Sequence, residues 1–177
     1  MNLKIEKSLY SRNLVLKDAT EDDAAFLLKL RKDIIKSRYL SPTSNSLEDQ
    51  KMWMQAYRDK VDEAYFIIQN KSGDRLGCVR MYNPVGSSFQ WGSWLIVNGT
   101  SPNVALESAL LIYSYARRLG FTKAKINVTQ KNINVWKFHE NVFNAMLINQ
   151  NSVERFYEVS EKTIDDKLLK HRKLLVT

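Results

Sequence analysis

Residues 89–128 constrain this chain more than any other stretch. Phe89 to Val97 reads as a strand that breaks at Asn98-Gly99-Thr100-Ser101-Pro102. A helix follows, because Ser101 is a favourable N-cap and Pro102 suits a first helical turn. Leu106, Ala109, Leu110 and Tyr113 then recur at i, i+3, i+4 and i+7, giving one apolar stripe. Gly120 supplies a glycine stop, and Ala124 to Val128 forms a short strand. If the two strands are neighbours, the helix between them is a right-handed parallel crossover.

The flanking segments complete an alternating order. Asn13 to Leu16 reads as a first strand. Thr20-Glu21-Asp22-Asp23 is a capping-box-like helix start, followed by Leu27, Leu30 and Ile34 at helical spacing. A loop over Leu40-Ser41-Pro42-Thr43-Ser44-Asn45 precedes a second helix, opened by Ser46 with Asp49 three residues later and running to about Val61. Ala64 to Ile68 and Arg75 to Tyr82 are strands joined by turn residues 70–74 into a hairpin, and residues 83–88 are a loop. Asn132 or Asn134 caps a short helix to about Asn141. Two last strands are expected near Met146-Leu147-Ile148 and from Glu154 to Val159. The order is β-α-α-β-β-β-α-β-α-β-β. It predicts a mixed α/β (α+β) fold with about seven strands and about four helices in one domain spanning residues 1–177.

The composition supports a packed core: 44% of the 177 residues are hydrophobic and 26% charged. The single Cys78 excludes an intrachain disulfide and fits a reducing, cytoplasmic setting. It sits in the largely apolar run Leu76-Gly77-Cys78-Val79, where packing is the expected role. Residues 1–12 mix charges and do not read as a signal peptide. No apolar run reaches the roughly 20 residues of a membrane span. The net charge of +8 attracts anions. Lys167, Lys170, His171, Arg172 and Lys173 crowd the C-terminus and read as a solvated polar face. The aromatic residues fall at core spacing without basic-aromatic interleaving, so nucleic acid is not expected. Two His and one Cys at unrelated spacings give no metal site.

The junction at residues 97–105 is a candidate anion site. A strand, a short loop and a helix start aim free backbone N–H groups and the helix dipole at one point, which suits a pyrophosphate. Gly99, Ser101 and Ala105 are small enough for close approach.

The order of elements over roughly residues 12–160 resembles the GNAT acyltransferases, including the strand and acidic helix cap at residues 14–23. That resemblance implies a GNAT-like mixed sheet and an acyl-CoA, acetyl-CoA or another, as the cofactor. The family's pyrophosphate motif, Gln/Arg-x-x-Gly-x-Gly/Ala, falls on Thr100, Asn103 and Ala105, where only Ala105 matches. The family often follows an Asn with an aromatic-rich helix bearing a Tyr seven residues on. Here Asn132 fits, His139 stands at the Tyr position, and Phe143-Asn144 replaces a Gly-Phe ending. Trp91-Gly92-Ser93-Trp94 and Trp136-Lys137-Phe138-His139-Glu140 resemble members that acylate nucleotide-linked amino sugars.

The resemblance implies that Trp94, Leu95, Ile96, Val97, Gly99, Thr100, Ser101, Asn103, Val104, Ala105, Asn132 and Phe138 hold the acyl-CoA. It makes Gln90, Trp91, Ser93 and Trp136 the candidate substrate contacts. Gln90 stands where many relatives carry a Glu base. His139 is the candidate acid or base, since an unperturbed imidazole titrates near neutrality; the same helical face also suits a core histidine. The expected acceptor is the amine of a nucleotide-linked amino sugar, and a homodimer is among the expectations. The alternatives are a protein N-terminal or small-amine acetyltransferase, and a non-catalytic module binding CoA or nucleic acid.

Overall fold

A computed structural model describes residues 2–33 and 46–175. The expected loop at 40–45, and Ile34, lie outside these residues. One eight-stranded sheet carries the strands in the order β1-β2-β3-β4-β5-β6-β8-β7. They are β1 (Ser8–Tyr10), β2 (Leu14–Asp18), β3 (Ala64–Asn70), β4 (Arg75–Val85), β5 (Ser88–Ile96), β6 (Lys123–Thr129), β7 (Met146–Gln150) and β8 (Glu154–Val159). The helices are α1 (Ala24–Lys32), α2 (Leu47–Arg58), α3 (Asn103–Arg118), α4 (Ile133–Phe143), α5 (Glu161–Lys170) and α6 (Arg172–Leu175). Strands β5 and β6 are parallel, and every other neighbouring pair is antiparallel. The sheet is mixed, as the element order requires.

Local chemistry explains the boundaries around α3. Ser101 Oγ accepts the Asn103 N–H at 3.3 Å, and Pro102 takes helical dihedrals ahead of it. At the other end Gly120 has φ +90°, while its N–H reaches the Arg117 carbonyl and the Phe121 N–H reaches the Ala116 carbonyl. These two bonds form a Schellman motif, and the glycine accepts the left-handed conformation without a Cβ penalty. Helix α4 ends differently: Asn144 takes φ +47°, the commonest substitute for glycine at such a cap.

Three features depart from the sequence expectation. Strand β1 is short and, among the described residues, pairs only with β2; three residues carry too little alternation to be read as a strand. Strand β4 extends through Asn83, Pro84 and Val85, assigned above to a loop, and meets β5 across the two-residue turn Gly86-Ser87. Pro84 falls inside a register irregularity between Tyr82 and Val85, where its missing N–H is tolerated. The basic C-terminal segment forms α5 and α6. Ser160 Oγ caps α5 by accepting the Thr163 N–H, Ile164 is buried, and Arg117 on α3 pairs with Asp165 at 2.9 Å. The cluster of basic residues is the outer side of a docked helix. Asn132 precedes α4 and caps it through its carbonyl, leaving its side chain out of the cap.

Two hydrophobic clusters sandwich the sheet. The larger joins α3, α4 and α5 to Leu16, Phe66, Val79, Phe89 and Trp91. The smaller joins α1 and α2 to Tyr65, Ile67, Cys78 and Leu95 on the opposite face. The β1–β2 turn is tied to α3 by Glu107, which is 1% exposed. Its carboxylate accepts from Ser11 Oγ at 2.6 Å, from the Asn13 N–H at 2.7 Å and from Asn13 Nδ2 at 2.9 Å. Glu107→Ala strands these donors in the interior and is expected to cost about 3 kcal/mol. Thermal unfolding should then occur roughly 6–12 °C lower, whereas Glu107→Gln, which keeps one acceptor, should lose less.

Candidate active site

Strands β5 and β6 pair over Ser88–Lys123, Phe89–Ala124 and Gln90–Lys125 and then part. Strand β6 stays with β8 over six registers, from Ala124–Val159 to Thr129–Glu154. Strand β5 is diverted by a bulge. Cys78 faces Leu95 and Arg80 faces Gly92, so Ser93 and Trp94 together oppose Val79. An extra residue bends a strand and increases its twist. Ser93 lies at φ +47°, a left-handed conformation uncommon for serine. Its carbonyl accepts from the thiol of Cys78 at 3.4 Å, and Tyr65 Oη donates to Cys78 Sγ at 3.5 Å. Burial pushes that thiol up to about 11. The lone cysteine is a packed, unreactive strut beneath the bulge.

The parting opens a cavity of about 570 Å³. Its lining comes from both faces of the sheet: Trp91, Trp94, Asn132, Val135 and His139 on the α3–α4 side, and Gln50, Trp53, Tyr65, Arg80 and Tyr82 on the α2 side. Gly92, Ser93 and residues 126–129 of β6 form the parted edges, and Arg31, Asp49 and Glu154 also contribute. A passage therefore runs through the sheet. Its volume falls in the range of small-molecule sites.

The walls are fixed by hydrogen bonds and ring contacts. Trp91 Nε1 donates to Tyr113 Oη at 3.4 Å, and Trp94 Nε1 donates to Ser108 Oγ at 3.2 Å. These indoles pack against α3 and line the cavity at once, so packing and site roles coincide. On the opposite wall the Arg80 guanidinium lies over Trp53 at 5.3 Å and Tyr82 at 5.2 Å and is ion-paired with Glu63. Burial works to raise Glu63, but the Arg80 and Lys60 partners outweigh it and hold the carboxyl below its usual range.

His139 is 2% exposed and sits edge-on to Trp91, with ring centres 5.2 Å apart. Its Nδ1 has no hydrogen-bond partner among the described residues. Burial drives its pKa down to about 3, so the imidazole is neutral at physiological pH and begins no reaction as an imidazolium acid.

The other expected residues divide. Trp91, Ser93, Trp94 and Asn132 line the cavity with His139. Leu95 points into the α1–α2 cluster, Ile96 pairs with Gly77, and Val97 with Asn98 borders a separate hollow beside α1. Thr100 Oγ1 donates to the Val97 carbonyl at 3.1 Å, Ser101 caps α3, Val104 is buried, and the Ala105 carbonyl accepts from Ser108 Oγ. Gly99 and Asn103 are exposed at the start of α3. Phe138 packs on Trp94 at 5.1 Å. Gln90 and Trp136 lie outside the cavity lining. Gln90 Oε1 accepts from Asn83 Nδ2 at 2.6 Å, and Trp136 donates to the Gln130 carbonyl beneath the Arg155 guanidinium. Trp53, Arg80, Tyr82 and Glu154 were not anticipated. Each sits in a different segment from residues 90–144, and only the sheet order brings them together.

Parted parallel strands, a bulge beside the opening and a helix start at the end of the diverted strand define a class: enzymes whose cleft opens between two separated edges of one sheet. Beyond Gln90 and Lys125 the two strands no longer pair with each other. Gly99, at φ +81°, has open space where a Cβ would project, beside the N-terminus of the 16-residue α3. Residues 13–142 match the Acetyltransferase (GNAT) domain family. The chain belongs to the GNAT family and is an acyl-CoA-dependent N-acetyltransferase; its donor is acetyl-CoA.

Among solved structures it resembles apo FdhC, described as a nucleotide-linked sugar GNAT, at 26% identity and TM-score 0.87, over 97% of this chain and 100% of that one. A probable GNAT acetyltransferase from Chromobacterium violaceum matches at 15% identity and TM-score 0.77, over 90% and 89% of the two chains. Spermidine N-acetyltransferase from Vibrio cholerae, in complex with CoA and spermine, matches at 14% identity and TM-score 0.74, over 85% and 97%. No protein of curated function matches the sequence significantly. Among the described residues no helix is long and apolar enough to cross a membrane.

The state of His139 can be tested through stability. Its pKa is about 3 in the folded protein against an ordinary 6.5, so between these values the unfolded chain binds the extra proton. Stability from this group is complete above pH 6.5 and is lost as pH falls toward 3. His139→Phe is expected to flatten the dependence of the unfolding temperature on pH in that window. An NMR signal from His139 titrating near 6.5 in the folded protein would contradict the assignment.

Proposed function

We propose that this acetyltransferase acts on the primary amine of a nucleotide-linked amino sugar. The observation that carries the reading is the wall Trp53-Arg80-Tyr82 facing Trp91 and Trp94 across a cavity of about 570 Å³. Aromatic faces suit a base or sugar ring, and guanidinium groups suit a phosphate. The likeness to FdhC along the full length of both chains supports the same acceptor class.

In this reading the acyl-CoA lies along the β5 edge. The backbone of residues 94–97, the loop at Gly99, Thr100 and Ser101, the helix start at Asn103, Val104 and Ala105, and the side chains of Asn132 and Phe138 hold it. Bound acetyl-CoA supplies an activated acyl group. Backbone N–H groups at the bulge polarise its carbonyl, the arrangement that stabilises charge developing on oxygen. Trp91 and Ser93 border the acceptor. His139 offers its Nδ1, which has no partner among the described residues, as a neutral hydrogen-bonding group beside Trp91 and Trp94.

A small cationic amine is the second reading, favoured by the carboxylates of Asp49 and Glu154 in the lining. Thiol release from acetyl-CoA against nucleotide-linked amino sugars, spermidine and N-terminal peptides separates the two. The fastest turnover is expected with a nucleotide-linked amino sugar, and preference for spermidine would overturn the first reading. His139→Ala and His139→Asn are expected to slow turnover at least about tenfold, through loss of a preorganised hydrogen-bonding group, while leaving the fold in place, as judged by circular dichroism.

A further inference from the structure

Amide formation requires the acceptor nitrogen to be held with its lone pair toward the thioester carbonyl. Gln90, at the position where many relatives carry a Glu, spends its amide on Asn83. His139 stands on the α3–α4 side, between Trp91 and Trp94. The geometry points to the Tyr82 hydroxyl as the group that positions the acceptor amine, by accepting a hydrogen bond from it on the α2 side of the cleft. This inference rests on the acyl transfer of the family and on the cleft as its site. It does not depend on which amine is the acceptor.

Four observations support it. Tyr82 and Gly92 both line the cavity, and Gly92 immediately precedes the bulge residue Ser93. A Cβ built on Gly92 would lie 3.1 Å from Tyr82 Oη, so the hydroxyl sits directly over the strand at the parting. Tyr82 Oη makes no hydrogen bond to any described residue, although the ring is half-buried; packing alone would be served by a phenylalanine. The ring is also clamped by Arg80, which is itself fixed by Glu63 and Trp53. A hydroxyl whose ring is packed under a guanidinium, that has no partner among the described residues and that borders a cleft is preorganised for a ligand. Burial raises its pKa, with Arg80 opposing and Glu154 adding to the rise, so the phenol stays protonated throughout.

The step balances without oxidation or reduction. The amine lone pair forms the C–N bond as the C–S bond breaks. One amine proton passes to water in the cleft, and the thiolate takes one proton from water. Tyr82 keeps its own proton and fixes the direction of the nitrogen lone pair.

The test measures steady-state kinetics with acetyl-CoA and whichever amine of the acceptor panel turns over fastest, so failure of the sugar reading appears in the panel and not in the variants. Tyr82→Phe is expected to lower kcat about tenfold or more with KM for acetyl-CoA unchanged. Its unfolding temperature should stay within about 2 °C of the parent, because no hydrogen bond to a described residue is lost. Gly92→Ala pushes a methyl group against the hydroxyl. It should lower kcat in the parent and have little further effect in the Tyr82→Phe background, a non-additivity that identifies the hydroxyl as the shared element. A parental kcat in Tyr82→Phe, or a Gly92→Ala loss that is undiminished in the double variant, overturns the assignment.

Discussion

The separation of β5 from β6 after three paired residues is the constraint on which the rest of the site depends. A continuous ladder would close the cavity and leave its ligand no entry. The separation persists because each strand is committed elsewhere. Strand β6 is held by six registers with β8, and β5 is held by β4 on both sides of the bulge. The left-handed Ser93 is a local strain of order 1–3 kcal/mol, offset by the buried Cys78 thiol beneath it and the anchored indoles of Trp91 and Trp94 on either side. Strain at this point is expected where backbone must be offered to a ligand instead of to a neighbouring strand.

The chemistry of the two walls follows from what covers each face. Helices α3 and α4 bring apolar rings, and burial among them removes the charge of His139. Helix α2 and strand β4 bring Trp53, Arg80 and Tyr82, a wall that is aromatic and cationic and stays partly open to solvent. The cleft is therefore asymmetric. In the proposed reading the apolar side suits the thioester, whose carbonyl gains most from dipoles in a low-dielectric setting, and the polar side suits the acceptor.

Much of this was legible along the chain. The crossover from β5 through α3 to β6 was marked by Ser101, Pro102 and Gly120, residues whose backbone preferences act locally. Trp91, Ser93, Trp94, Asn132 and His139 fell within one stretch and do converge on the cavity. The opposite wall was not legible. Trp53, Arg80, Tyr82 and Glu154 come from α2, β4 and β8, and no local rule links them. Trp136 and Gln90 looked equivalent to their neighbours, but helical and strand periodicity turned them toward Arg155 and Asn83. Strand β1 and helix α5 were missed for a related reason. Each is marginal alone and is stabilised by a distant partner, β2 in one case and Arg117 of α3 in the other.

The sequence by itself determined the order of elements, the parallel crossover, the absence of a disulfide and the family, because caps, turns and hydrophobic periods are written in neighbouring residues. Only the tertiary structure decided where the sheet parts, which side chains meet at the opening, and that His139 is neutral. Those outcomes depend on strand register and on burial between elements far apart in the chain. Both are properties of packing that no local segment contains.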